Sequence, residues 1–385
     1  MIVSVGAGGV NSYTRGWLQY MARWSGMERE DVELVSMCDP DDFYLLLRPR
    51  RARFRILGGA EAFYEKLYKP FCDAVVVGEG FQFFRDYKES GSFDFIGDAP
   101  YIYTGSEGKV VASSRVDWDL APPIKVGKRK VMVLGSRGCK NKCRFCFTSW
   151  TTRHRIRKKM PRLPRGVVTN IISNDNAGSE GLSAAVKSMT IRSYLGMTRD
   201  EAAKTRVYRF GVEGLTEETR KYLGKPIRDE ELRMAVRIAG KLNHEIVFFV
   251  IAGIDPQESF ISFLENIGHD HSLRPKIILK GTYFNPCRHT PLESYDIRDL
   301  HQWDKKWIYG KLKSFSPRYK LNLRSDMGYH LWRAMFHRTR GKRETEFLWS
   351  LRRKCRDDLL AAVDGNGLAH LYDTPVDSCV EFDWR

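Results

Sequence analysis

The chain has no histidine before His154, and no acidic residue lies between Asp119 and Asp175. It also lacks a long apolar run. A bilayer span takes about 20 residues, and the apolar stretch around residues 246–254 falls well short of that. The opening "MIVSVGAGGV" has neither a basic stretch nor an extended apolar core, so no secretory leader is expected and a cytoplasmic location is. Five of the eight cysteines stand alone: Cys38, Cys72, Cys287, Cys355 and Cys379. Without a leader, that scatter argues against a disulfide framework. Low-complexity segments and internal repeats are absent. These absences exclude a membrane-spanning protein, a disulfide-stapled secreted domain and a disordered chain. With 385 residues, 42% apolar and 29% charged, a soluble globular protein of two or three domains is expected.

Positive charge is in excess. Sixty-four Lys and Arg face 47 Asp and Glu, a net charge of +17. Such a balance suits a polyanionic partner, although a solvated basic surface gives the same number.

The expected fold class is α/β in three parts. Residues 1–125 carry four short strands, "IVSV", "VELVSMC", "RFRILGG" and "CDAVVVGEG", with a helical stretch around residues 17–24. Strands that alternate with helices and end in glycines predict a small open parallel sheet, whose ligands bind at the strands' carboxyl ends. "GAGGVN" does not have the spacing of the dinucleotide fingerprint. Adjacent Pro122 and Pro123 and the basic run after them mark a linker. Residues 126–299 show six strand signals, at 131–134, 167–172, 187–192, 207–212, 246–251 and 276–279. Helical periodicity separates most of them, as where Leu232, Val236, Ala239 and Leu242 recur over 230–242. Six strand–helix units predict a partial (βα)6 barrel with its chemistry at the strands' carboxyl ends. Residues 300–385, with Trp303, Trp307, Trp332 and Trp349 among many cations, read as a mainly helical extension with a polar tail.

The first barrel strand runs into "GSRGCKNKCRFCF", where Cys139, Cys143 and Cys146 follow a C-x3-C-x2-C spacing. Three thiolates on one short loop can hold three irons of a [4Fe–4S] cluster and leave the fourth iron open. Structural zinc would want a fourth protein ligand. The nearest, His154, lies eight residues past Cys146 and fits poorly.

This loop, with Phe145 just before its last cysteine, resembles the radical S-adenosylmethionine (SAM) superfamily. Later segments agree in order. "RVYRFGVEGLTEETRKYLGKPIRDEELRMAVRIA", "FFVIAGIDPQES" and "GTYFNPCRHTPLE" are similar to the fourth-, fifth- and sixth-strand regions of the branch that includes methylthiotransferases and cobalamin-dependent enzymes. The resemblance covers roughly residues 131–293. It implies that the open iron chelates SAM, that one electron breaks a carbon–sulfur bond, and that a 5'-deoxyadenosyl radical then takes hydrogen from the substrate. Residue by residue, it implies SAM contacts at Phe145, at Ser173, Asn174 and Asp175, at Glu213, and at Gly253 and Phe284 beside the adenine. The usual strand-two Gly-Gly-Glu is absent. Helix capping by Glu213 and a turn role for Asp175 are the plainer alternatives. Residues 1–125 resemble the cobalamin-binding domain that precedes this branch, in "RILGGAEAF", "CDAVVVGEGFQFFRDY" and "DWDLAPP". The Asp-x-His-x-x-Gly cobalt-ligand motif is missing, so a domain that keeps the fold and lacks the cofactor is expected, with cobalamin bound without a lower histidine ligand as the alternative. Lone Cys38 and Cys72 do not match the methylthiotransferase N-terminal domain, which disfavours sulfur insertion.

Fifteen Lys and Arg fall in the acid-free stretch after Asp119. Among them Arg153, Arg155, Arg157, Lys158 and Lys159 follow the cysteine loop, as does Trp150. Cations there would track phosphates, and the indole could stack on a base. The expectation is modification of a nucleic-acid base, with a hypermodified pyrimidine in phage-type DNA and tRNA as the two candidates. The alternatives are an enzyme acting on a small metabolite or peptide, whose basic rim would dock an electron donor such as flavodoxin or ferredoxin, and a non-enzymatic iron–sulfur sensor.

Overall fold

The computed structural model describes residues 1–6, 9–105, 108–126, 130–159, 161–162, 168–172, 186–268, 275–315, 319–323, 327–375 and 378–382. An N-terminal sheet holds β1 (Ile2–Val5), β2 (Val32–Ser36), β3 (Phe54–Gly58), β4 (Ala74–Val76) and β5 (Ile102–Tyr103), in that order. The first four are parallel and β5 is antiparallel to β4. All four strands read from the sequence are present. Helix Gly9–Ser25 covers the "W…W" stretch expected to be helical.

Two short strands follow, β6 (Val110–Val111) and β7 (Ile124–Lys125). The second lies in the Pro-Pro linker and pairs antiparallel with β8 (Lys130–Leu134). The cysteine loop then begins from β9 (Ser136–Arg137), which pairs with β10 (Arg155–Ile156). Strand β11 (Val168–Ile172) lies parallel to β8. A second parallel sheet is built from β12 (Val186–Ser188), β13 (Val207–Glu213), β14 (Glu245–Ala252), β15 (Lys276–Tyr283) and β16 (Tyr319–Leu323). Each of the six strand signals meets a strand, but the third is cut to Val186–Ser188 because a helix starts at Ile191, and the strands divide between two sheets, with β16 as an added member of the larger one.

Residues 300–385 are mainly helical as expected, with helices Lys305–Phe315, Met327–Phe336, Lys342–Ser350 and Arg356–Gly365, and strand β16 is an addition to that reading. Tyr319 and Leu321 are buried between outward Lys320 and Asn322, which is the alternation a strand needs when one face is covered. The tail also forms β17 (Val380–Glu381), parallel to β6.

Period-two burial sets the faces of the barrel sheet. On β13, Tyr208, Phe210 and Val212 are buried, and the Tyr208 and Phe210 rings stack at 6.3 Å. Helix Asp229–Lys241 lays Leu232, Ala235, Val236 and Ala239 into the core. Its first turn carries Asp229, Glu230 and Glu231, which suit the positive end of the helix dipole.

Ion pairs tie the N-terminal part to the rest. Glu61 meets His337 at 3.0 Å and Glu65 meets Arg288 at 3.3 Å, both buried, and half-buried Asp39 meets Arg333 at 3.0 Å. Ion pairs out of water fix geometry more than they add stability.

Candidate functional site

Cys139 lies just past β9, and Cys146 caps helix Phe147–Thr151. The loop starts from Gly138 at φ +65°, where an added Cβ would lie 2.4 Å from the Thr152 carbonyl oxygen and 2.5 Å from that of Arg153. Only glycine fits both the left-handed backbone and that approach. Beyond it the loop is pinned from two sides. The Trp150 indole N–H donates to the Cys143 carbonyl at 2.8 Å, and the Arg144 amide donates to the Leu223 carbonyl at 3.0 Å.

Cys143 is buried, while Cys139 and Cys146 are half-buried. Burial pushes the Cys143 thiol up to about 11; the Lys225 ammonium opposes this, and Cys146, Glu213 and Cys139 reinforce it. The three thiols thus share one electrostatic environment. Among the described residues, no three His, Cys, Asp or Glu side chains converge as a single metal ion requires. In a [4Fe–4S] cluster each thiolate takes its own iron, so the ligands stand apart. Three thiols on one pinned loop with an ammonium beside them fit that group. Iron binding would also drive off the Cys143 thiol proton that burial retains.

Glu213 is brought to this loop. A register shift between Gly211 and Glu213 interrupts the ladder between β13 and β14, and Glu213 sits at φ +71°. This backbone turns its carboxylate onto the Lys225 ammonium at 3.0 Å, and Lys225 also donates to the Gly211 carbonyl at 3.1 Å. A Cβ on Gly211 would lie 2.3 Å from the Glu213 carboxylate, so the missing side chain makes room for the pair. Strained backbone of this kind clusters at functional sites. Capping of helix Glu217–Tyr222 falls instead to Thr216, whose side chain accepts from the Thr219 amide. Lys225 was not singled out from sequence; twelve residues and a helix separate it from Glu213, and no local pattern links them.

The remaining predicted contacts divide. Ser173, Asn174 and Asp175 lie outside the described residues. Phe145 packs half-buried against the main core. Gly253, at φ +91°, is buried beneath Leu300 and His301. Phe284 is 2% exposed and set edge-on to Tyr295 at 5.0 Å. Its ring packs in the core.

The basic segment also separates. Arg153, Lys158 and Lys159 are exposed. Arg155 is half-buried in β10, 3.5 Å from the Ser114 hydroxyl. Arg157 is a correction, because it is buried and donates to main-chain carbonyls of Ala121 and Trp118 at 2.8 Å and of Lys159 at 3.1 Å. It fastens the linker to the barrel and faces no phosphate. The half-buried Trp150 donates its N–H to the Cys143 carbonyl, and the Lys142 ammonium lies 4.9 Å from its ring centre.

A cavity of about 310 Å³ opens where the carboxyl ends of β2, β3 and β4 meet the cysteine loop. Arg137 and Gly138 line it from one side of the loop, and Phe147 from the other. Glu79, at the end of β4, pairs with Arg137 of β9 at 2.7 Å across the seam. This is the face where cobalamin would lie if the N-terminal resemblance extended to the cofactor. The lining contains no imidazole to serve as a lower cobalt ligand, and the space is at the lower end of the roughly 300–1,000 Å³ of small-molecule pockets.

No family model and no curated protein matches the chain. Among solved structures it is similar to TsrM, a radical SAM methyltransferase from Kitasatospora setae with cobalamin and a [4Fe–4S] cluster bound. The TM-score is 0.46 at 11% identity, over 74% of this chain and 66% of that one. It is also similar to OxsB, a cobalamin-dependent SAM radical enzyme with aqua-cobalamin and SAM bound. There the TM-score is 0.42 at 10% identity, over 94% of this chain and 70% of that one. The chain thus spans about two thirds of the length of these structures.

Proposed function

We propose that this protein is a radical SAM enzyme that modifies a nucleic-acid base. The observation that carries the enzyme reading is the pinned loop of Cys139, Cys143 and Cys146, with the Lys225–Glu213 pair set against it. A cluster there, with SAM, would supply one-electron cleavage of a carbon–sulfur bond and so a hydrogen-abstracting radical. The chain's own residues hold and shield that chemistry. Lys225 balances thiolate charge, Glu213 offers a carboxylate to an ammonium, and buried Cys143 keeps water from one side of the loop. A sensor would have no use for the strained Glu213.

The substrate reading rests on the net charge of +17 and on exposed Arg153, Lys158 and Lys159 beside the loop. Anaerobically reconstituted protein with SAM and a reductant should release 5'-deoxyadenosine; a protein that releases neither this nor S-adenosylhomocysteine is no enzyme of this class. Single-stranded DNA, duplex DNA and tRNA should then be titrated across a salt series. Affinity should fall steeply, by a log–log slope of about 0.7–0.9 per phosphate contact. Changing Arg153, Lys158 and Lys159 together to Ala should flatten that slope. Wild-type binding no tighter than that of an unrelated basic protein would transfer the basic rim to an electron donor and the substrate to a small molecule or peptide.

A further inference from the structure

The seam cavity is larger than packing needs and is not explained by the cluster. Its walls are mostly apolar, with Leu34, Ile56 and Val76 from the sheet and Trp17, Phe81 and Phe84 from the flanking helices. The Tyr13 side chain also lines it. That residue is 6% exposed, and its hydroxyl has no hydrogen-bond partner among the described residues. A buried hydroxyl without a partner is costly and marks where a ligand can bond. The two charged residues of the lining, Glu79 and Arg137, neutralise each other at 2.7 Å. A charged ligand would therefore meet no spare counter-charge. Gly138 and Phe147 flank the first and last cluster cysteines in sequence, so a ligand here touches both ends of the cysteine loop.

We propose that this cavity receives the substrate's reacting ring, an uncharged pyrimidine, in the place where the cobalamin-binding fold would otherwise hold a corrin. The proposal rests on the nucleic-acid reading above and deepens it. An apolar, aromatic-walled pocket of about 310 Å³ with one unpaired hydroxyl suits a flat ring that presents a hydrogen-bonding edge. Enzymes that act on a base in a polymer take it out of the stack into such a pocket, read by its edge and held between apolar side chains. Net charge would then serve the phosphates outside, and the neutral seam would serve the base.

Gly58 offers a direct test. It ends β3, it lines the cavity, and a Cβ built on it meets nothing within 4 Å. Gly58→Leu therefore starts its side chain in open space at the cavity wall, and Tyr13→Phe removes only the hydroxyl. Equilibrium dialysis of the full-length reconstituted protein would use labelled thymidine, with hydroxocobalamin in parallel. Wild type should bind thymidine. Gly58→Leu should weaken it at least tenfold and Tyr13→Phe by about 2- to 13-fold, the range of one hydrogen bond, with iron content unchanged. Single-stranded oligonucleotides with a central thymine or a central abasic site separate the two sources of the ring. Tighter binding of the thymine strand, lost in Gly58→Leu, places a polymer base in the cavity. Gly58-sensitive thymidine binding without oligonucleotide binding keeps the cavity assignment and rejects the polymer. Salt-dependent binding of both strands alike, with no thymidine bound, rejects the cavity assignment and keeps the polymer. Stoichiometric cobalamin binding that Gly58→Leu abolishes would overturn the proposal.

Discussion

Replacing Arg157 should damage folding rather than substrate capture. Its guanidinium bonds the Ala121 and Trp118 carbonyls at 2.8 Å, and its Nε bonds the Lys159 carbonyl at 3.1 Å. The residue is 8% exposed, and burial lowers its pKa from the ordinary arginine value, opposed by Tyr13 and then Asp119. Hydrogen bonds to a charged group contribute about 1.5–3 kcal/mol each, and a buried acceptor left unpaired costs about 1–3 kcal/mol. Three such bonds, less the desolvation of the guanidinium, leave a net loss on the order of 3 kcal/mol for Arg157→Ala. Arg157→Lys keeps the charge but cannot reproduce the fork, so it should still lose about 1–2 kcal/mol. Lys158→Ala and Lys159→Ala, both exposed, should stay within about 0.5 kcal/mol of wild type. Urea unfolding of the four variants without iron measures this, alongside oligonucleotide affinity at fixed salt. If Arg157→Ala unfolds with wild-type midpoint yet loses affinity, and Arg157→Lys restores it, Arg157 is a phosphate contact and the buried placement is wrong.

Cys→Ala at 139, 143 or 146 should abolish the broad visible absorbance and SAM cleavage, while single changes at Cys38, Cys72, Cys287, Cys355 and Cys379 keep both; full iron loading in the triple variant would refute the ligand assignment. Lys225→Met leaves Glu213 and the thiolates without their cation, so iron should be lost faster to a chelator than from wild type, and equal loss rates would remove Lys225 from the site. Acid should release the Glu61–His337 tie: burial alone would raise the Glu61 pKa, but the His337 charge, with hydrogen bonds from His337 and Tyr68, holds it below the ordinary 4.5. A lowered folded-state pKa gives stability that is full above 4.5 and lost as pH falls through the folded value. The melting temperature should therefore fall more steeply below pH 4.5 in wild type than in Glu61→Gln, and parallel acid limbs would show that the pair is not charged.

What could be read from sequence was whatever repeats or clusters locally. Tyr208, Phe210 and Val212 alternate within one strand, and Leu232, Val236 and Ala239 recur within one helix; neighbours a few residues apart carry both patterns. The cysteine loop was legible for the same reason. Strand β16 has an equally clear alternation in Tyr319 and Leu321, but it is only five residues long and its outward Lys320 blends into a cation-rich stretch. Arg157 shows the limit. In "RHRIRKK" it is indistinguishable from Arg155, because the carbonyls that hold it come from Trp118, Ala121 and Leu134.

The same reasoning locates the parts of the site that sequence did not reveal. Glu213 was visible at a strand end, whereas its partner Lys225 was not, since ion pairing depends on where a helix returns the chain. Glu79 and Arg137 are 58 residues apart and meet only because the N-terminal sheet and the cysteine loop face each other. A pocket made by two units has no local signature in either, and its emptiness of charge is a property of the pair. The chain's excess of cations therefore misleads at this seam. Exposed Arg153, Lys158 and Lys159 can serve a polyanion, but the space beside the cysteine loop is neutral and apolar. A substrate that satisfies both must be charged along its backbone and uncharged at the ring that reacts, which is the division a nucleic-acid base provides.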